Sequence, residues 1–173
     1  MKYTFLLIAL ALFTFSCSEE DVKAALEQDA PIVIDKTYDV DLSEDDPKTI
    51  TKEESFSTSI SGLTVTDVKI EELTISVENY SSSIGSVKLN ELSFTLEGTN
   101  TSWSITDVDI STANDAFTVN VLEDLASAII STYEEHLLSN PEAKFILSGT
   151  VSDVPVSFDL KLYMKLTVTG RPS

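Results

Sequence analysis

Few residues here have the chemistry of a catalyst. Among 173 residues Cys17 is the only cysteine and His136 the only histidine, beside 29 acidic and 11 basic side chains. A serine nucleophile needs a base to take its proton, and His136 has no second imidazole to work with. It falls near the end of a predicted helix, where a partial positive charge suits the helix dipole. A solitary cysteine closes no disulfide within the chain, and it cannot build a cysteine-based zinc site. The acids offer more. In Asp39-Val40-Asp41-Leu42-Ser43-Glu44-Asp45 the oxygen-bearing Asp39, Asp41, Ser43 and Asp45 alternate, as hard ligands for calcium could. A helix-flanked calcium loop, however, wants Gly sixth and Glu twelfth, where this chain has Glu44 and Ile50. Val40 and Leu42 alternating with acids describe instead an edge strand running into a turn. The five glycines, at 62, 85, 98, 149 and 170, are too scattered for a phosphate-cradling loop. No pair among the acids is marked out for glycoside hydrolysis. The expectation is a protein that is not an enzyme and holds no metal or other cofactor in its fold. Trp103, Tyr80 and Tyr133 could present aromatic faces to a sugar ring, although Trp103 shares an alternating stretch with Ile105 and reads as core.

Cys17 belongs with its neighbours. Lys2 and the apolar run Phe5–Phe13 form the charged and hydrophobic parts of a secretory signal, too short for a stable membrane anchor. Cysteine follows at the hydrophobic boundary, with the small Ser16 before it and Thr14 where leucine is usual. These residues resemble a bacterial lipoprotein signal, whose lipobox ends in the cysteine to be acylated. The resemblance implies a signal peptide over residues 1–16 and a covalent lipid on Cys17. Ser18, Glu19, Glu20 and Asp21 look like the acidic export tag of some Gram-negative surface lipoproteins; a solvated spacer has the same composition. Residues 17–30 then make an acidic tether that ends at Pro31, and 31–173 form one domain.

Composition narrows the partners. The formal charge of −18 repels phosphate backbones and anionic headgroups alike, so nucleic acid is not expected. No stretch after residue 16 approaches the ~18–20 apolar residues of a membrane span. Contact with the membrane should therefore run through the lipid.

The elements that must position any site are mostly strands. Val156, Phe158, Leu160, Leu162, Met164, Leu166 and Val168 alternate with mainly polar residues, a period no helix satisfies. Lys144–Val151 reads as its hairpin partner across Ser152-Asp153, with Pro155 at a strand start. Residues 67–79 (DVKIEELTISVEN) align without gaps on 86–98 (SVKLNELSFTLEG), with five of thirteen positions identical. In both, the apolar phase slips by one residue, which predicts a bulge or bend at Glu71-Glu72 and at Asn90-Glu91. One segment is helical in period: Val121, Leu122, Leu125, Ile129, Tyr133 and Leu137. Asn120 caps it, Glu123 lies three residues on, and Ser139-Asn140-Pro141 stops it, which predicts a single helix over 121–138.

The pattern is mainly β: an antiparallel β-sandwich, Ig-like or otherwise Greek-key-like, crossed by one amphipathic helix near 121–138. A jelly roll or partly closed barrel fits the same pattern. The body resembles the β-sandwich lipoproteins of bacterial envelopes. That similarity is one of pattern, not motif, and implies no activity. Anchoring at the outer membrane through Cys17 leads instead to the expectation of a surface-exposed module for adhesion or for capture of a protein or glycan. The alternative is a carrier of hydrophobic ligands, with the helix lidding a curved sheet.

Overall fold

The computed structural model describes residues 27–111 and 117–173. Among the described residues eight strands and two helices follow one another: β1 (Gln28–Leu42), β2 (Thr49–Ser57), β3 (Leu63–Ser81), β4 (Lys88–Leu96), β5 (Ser102–Asp109), β6 (Phe117–Asn120), α1 (Val121–Asp124), α2 (Ser127–Ser139), β7 (Glu142–Val151) and β8 (Val156–Pro172). Two antiparallel four-stranded sheets result, ordered β1-β8-β3-β6 and β2-β7-β4-β5. This is the expected sandwich, and its doubled Greek-key connectivity is that of an eight-stranded jelly roll.

Period two dictates the core. The seven alternating apolar residues of β8 are all buried, and they face Phe145, Leu147 and Val151 of β7 with Leu92, Phe94 and Leu96 of β4. Phe145 stacks on Phe94 at 5.8 Å between ring centroids, Phe56 of β2 lies 6.1 Å from Phe145, and Tyr133 of α2 meets Phe94 edge-on at 6.1 Å. Such pairs each contribute about 0.5–1.5 kcal/mol beyond simple burial, so this chain of rings fastens the helix to the second sheet.

The two phase slips become bulges. Against β8, Ile70 pairs with Leu166 and Glu72 with Lys165, leaving Glu71 as the extra residue. Against β7, Leu89 pairs with Val151 and Glu91 with Thr150, leaving Asn90 extra. The bulges keep Val68 and Ile70 inward together with Leu73, Ile75 and Val77, and likewise Val87 and Leu89 with Leu92 and Phe94.

Three expectations are corrected. Lys144–Val151 and Val156–Val168 are not a hairpin: β7 pairs with β2 and β4, whereas β8 pairs with β1 and β3. Alternation reports which face of a strand is buried and carries no information about its neighbour, and Ser152–Pro155 takes the chain from one sheet to the other. The helix is two helices, because Leu125 and Ala126 are extended (ψ 132° and 139°) and redirect the chain while Leu125 stays buried. Asn120 still caps α1 as expected: its side chain accepts from Leu122 N–H at 3.2 Å and donates to Glu123 at 3.0 Å. Finally, β1 begins at Gln28, three residues before Pro31. Pro31 is accommodated because β1 is an edge strand, where a missing N–H breaks no ladder.

Candidate functional site

The acids singled out in the sequence lie on β1, whose odd residues face outward. Asp35, Asp39 and Asp41 are exposed on that face, while Ile34 and Val40 are buried on the other. Asp39 stands opposite Asp159 of β8, which stands opposite Glu78 of β3. Three carboxylates in one cross-strand row repel each other. The repulsion is relieved from the β3 side: Lys161 pairs with Glu78, and Asn79, in the left-handed region at φ 54°, donates its amide to Asp159 at 2.6 Å. Glu78 above all holds the Lys161 ammonium above its ordinary range, with Asp159 and Asp35 adding to the effect.

Three recesses adjoin along this end of the sandwich. The first, about 300 Å³, lies between Asp39–Leu42 of β1 and Thr49–Lys52 of β2, the facing edges of the two sheets. Lys52 reaches across it to donate to the Asp39 carbonyl at 3.0 Å. The second, about 170 Å³, shares Asp41 and is lined by Ser81, Ser82 and Ser157. The third, about 240 Å³, shares Thr49 and Thr51 and runs over Ser93 and Ser148, whose hydroxyls are 2.8 Å apart. Together they form an open surface of hydroxyls and carboxylates, suited to exchanging hydrogen bonds with a polar partner.

Of the remaining calcium candidates, Ser43 is otherwise engaged. Ser43 donates both its N–H and its hydroxyl to Asp46, at 2.7 and 2.6 Å, and these bonds hold the Asp46 carboxyl below the usual range. Asp45 is exposed in the same turn. Among the described residues no three His, Cys, Asp or Glu side chains gather as a metal would need.

The aromatic platform is corrected as well. Trp103 and Tyr133 are buried, at 5% and 1% exposure. Tyr133 donates to the Thr101 carbonyl at 3.1 Å, and burial pushes its hydroxyl's pKa up. Tyr80 is half-buried and spends its hydroxyl on the Gly85 carbonyl at 2.5 Å. The three therefore offer no common exposed face. His136 sits in the last turn of α2, half-buried against Gly98 and beside Asn140. Cys17 and Ser18, Glu19, Glu20 and Asp21 lie outside the described residues.

Sequence reading missed one polar seam. Lys36 and Tyr38 of β1, with Lys52 and Glu54 of β2, occupy inward-phase positions at the sandwich edge. Lys36 bridges to Glu54 at 2.6 Å. The Tyr38 hydroxyl is closed off from solvent without a hydrogen-bond partner among the described residues. Burial, with Glu54 nearby, pushes its pKa up to about 12. The available signal was the polar interruption of the apolar phase in Ile34-x-Lys36-x-Tyr38-x-Val40.

No family model matches the chain, and no curated protein matches it either. Among solved structures it is similar to a chain of turnip yellow mosaic virus, at 8% identity over 83% of each chain with a TM-score of 0.36. An empty-head structure of that virus gives 12% identity, 83% of each chain and 0.34. Desmodium yellow mottle tymovirus gives 9%, 83% of this chain and 84% of its own, and 0.31. Likeness at these scores carries no argument about this chain's task.

Proposed function

We propose that this protein is a lipid-anchored, non-catalytic interaction module of a bacterial cell envelope, held at the outer membrane through Cys17 and exposed at the surface. The observation that supports it most is where the recessed polar surface lies relative to the chain's point of entry. Glu27, just before β1, is held by Arg171 at 2.7 and 2.9 Å, at the end of the sandwich where Gln28 pairs with Gly170. Leu42, beside the recesses, is fourteen residues of strand farther on and so roughly 45 Å away. An acylated Cys17 would tether the first end and leave the recessed end pointing outward. A protein or a glycan is the partner class that hydroxyls and carboxylates on an open face suit.

The carrier reading has less support. Side chains of both sheets and of α2 fill the described interior, and the recesses are open and lined mainly by polar residues. Native mass spectrometry of the mature chain separates the two readings. A clean apo mass, with removal of the protein by protease added to intact cells, is the expected result. A co-purifying lipid, or full protection from protease on intact cells, would replace the interaction reading.

A further inference from the structure

We propose that the free edge of β1 takes up an extended, basic segment of a partner protein as an additional strand. This deepens the interaction reading and rests on it. β1 is fifteen residues long and ends its sheet: β8 pairs with one side throughout, without a register shift, and no described strand pairs with the other. The Asp39 carbonyl accepts from Lys52 of the opposite sheet, so at this residue the strand's hydrogen-bonding groups turn away from β8. In an antiparallel ladder that orientation recurs every second residue, which turns the N–H and C=O groups of Val33, Asp35 and Thr37 outward too. Pro31 shares that phase, and its missing N–H falls where β8 needs none.

Charge selects the occupant. The outward side chains of β1 include Asp29, Asp35, Asp39 and Asp41 and no lysine or arginine; its one lysine, Lys36, points inward and is engaged by Glu54. A second copy pairing through this edge would set carboxylates against carboxylates. An incoming strand with Lys or Arg at alternate positions meets the opposite situation. Its backbone completes the exposed ladder, and its cations project beside Asp35, Asp39 and Asp41. The chain's formal charge of −18 also steers a basic partner toward it.

The test uses the mature chain with an acetylated heptapeptide, Lys-Thr-Lys-Val-Lys-Thr-Lys, and the same peptide N-methylated at alternate backbone amides. The unmethylated peptide should bind and slow hydrogen exchange at Val33, Asp35 and Thr37, and the methylated one should lose binding. A variant combining Asp35→Asn and Asp39→Asn should bind about tenfold more weakly, as two exposed charge contacts would dictate, while Glu142→Gln should bind as wild type does. Equal binding of both peptides would reduce the attraction to bulk charge and overturn the proposal. Protection elsewhere, or no binding, would overturn it equally. Those outcomes leave acylation and surface exposure, measured separately, untouched.

Discussion

The Tyr38 hydroxyl is shut off from water and has no hydrogen-bond partner among the described residues, an arrangement that makes its removal cheap. Tyr38→Phe should leave stability near neutral pH unchanged or raise it by up to about 1 kcal/mol, measured by chemical denaturation. The pH dependence has a definite sign. An acid whose folded pKa is raised from 10.0 to about 12 holds its proton longer in the fold than in the unfolded chain. Stability therefore falls as pH rises from 10 toward about 12, and the group contributes nothing to pH dependence below that window. Subtracting the Tyr38→Phe profile from the wild-type profile should isolate this limb; parallel profiles would refute it. Gly98 is constrained twice, by φ 87° and by a Cβ position only 2.7 Å from His136 Cε1. Gly98→Ala should cost about 1–3 kcal/mol. Adding His136→Ala should recover the steric part and leave the backbone strain, which a double-mutant cycle measures.

At the scale of elements, α2 is joined to the sandwich at a bulge. The Ile70 N–H, next to the extra residue Glu71, donates to Glu134 of α2 at 3.0 Å. Glu134→Ala should cost about 1–3 kcal/mol and accelerate amide exchange at Ile70 and along α2 before other regions open. Ala126 precedes α2 in the N-cap position with no side chain able to cap. Ala126→Asp should therefore stabilise the fold by about 0.5–2 kcal/mol, read as a higher denaturation midpoint. The bulges were legible because a bulge preserves burial by breaking phase, and the slips at Glu71 and Asn90 could be seen in the residue order. Pairing was not legible: β7 and β8 alternate as a hairpin would, yet each is a central strand of its own sheet. The break at Leu125–Ala126 was hidden because the apolar residues on either side keep helical spacing. Of the surface site, Asp39 and Asp41 were found, for their value as calcium ligands. Thr49, Thr51 and Ser148 were not, since small hydroxyl residues outside a core carry no periodic mark.

For the whole molecule, charge and the proposed anchor are the governing features. A formal charge of −18 over 173 residues loads the compact state with self-repulsion. Raising NaCl from about 10 mM to about 500 mM should raise the thermal midpoint by several degrees, because the Debye length falls well below the spacing of surface charges. A falling midpoint would mean that ion pairs such as Lys144 with Glu53 and Glu97 outweigh the repulsion. The proposed tethered end and outward end both rest on the proposed acylation of Cys17. The direct measurement is incorporation of a labelled fatty acid in cells making the full chain or its Cys17→Ala variant. Label in the wild type and none in the variant is the expected result. An unlabelled wild type, or a variant labelled to the same degree, would contradict the anchor and the orientation that depends on it.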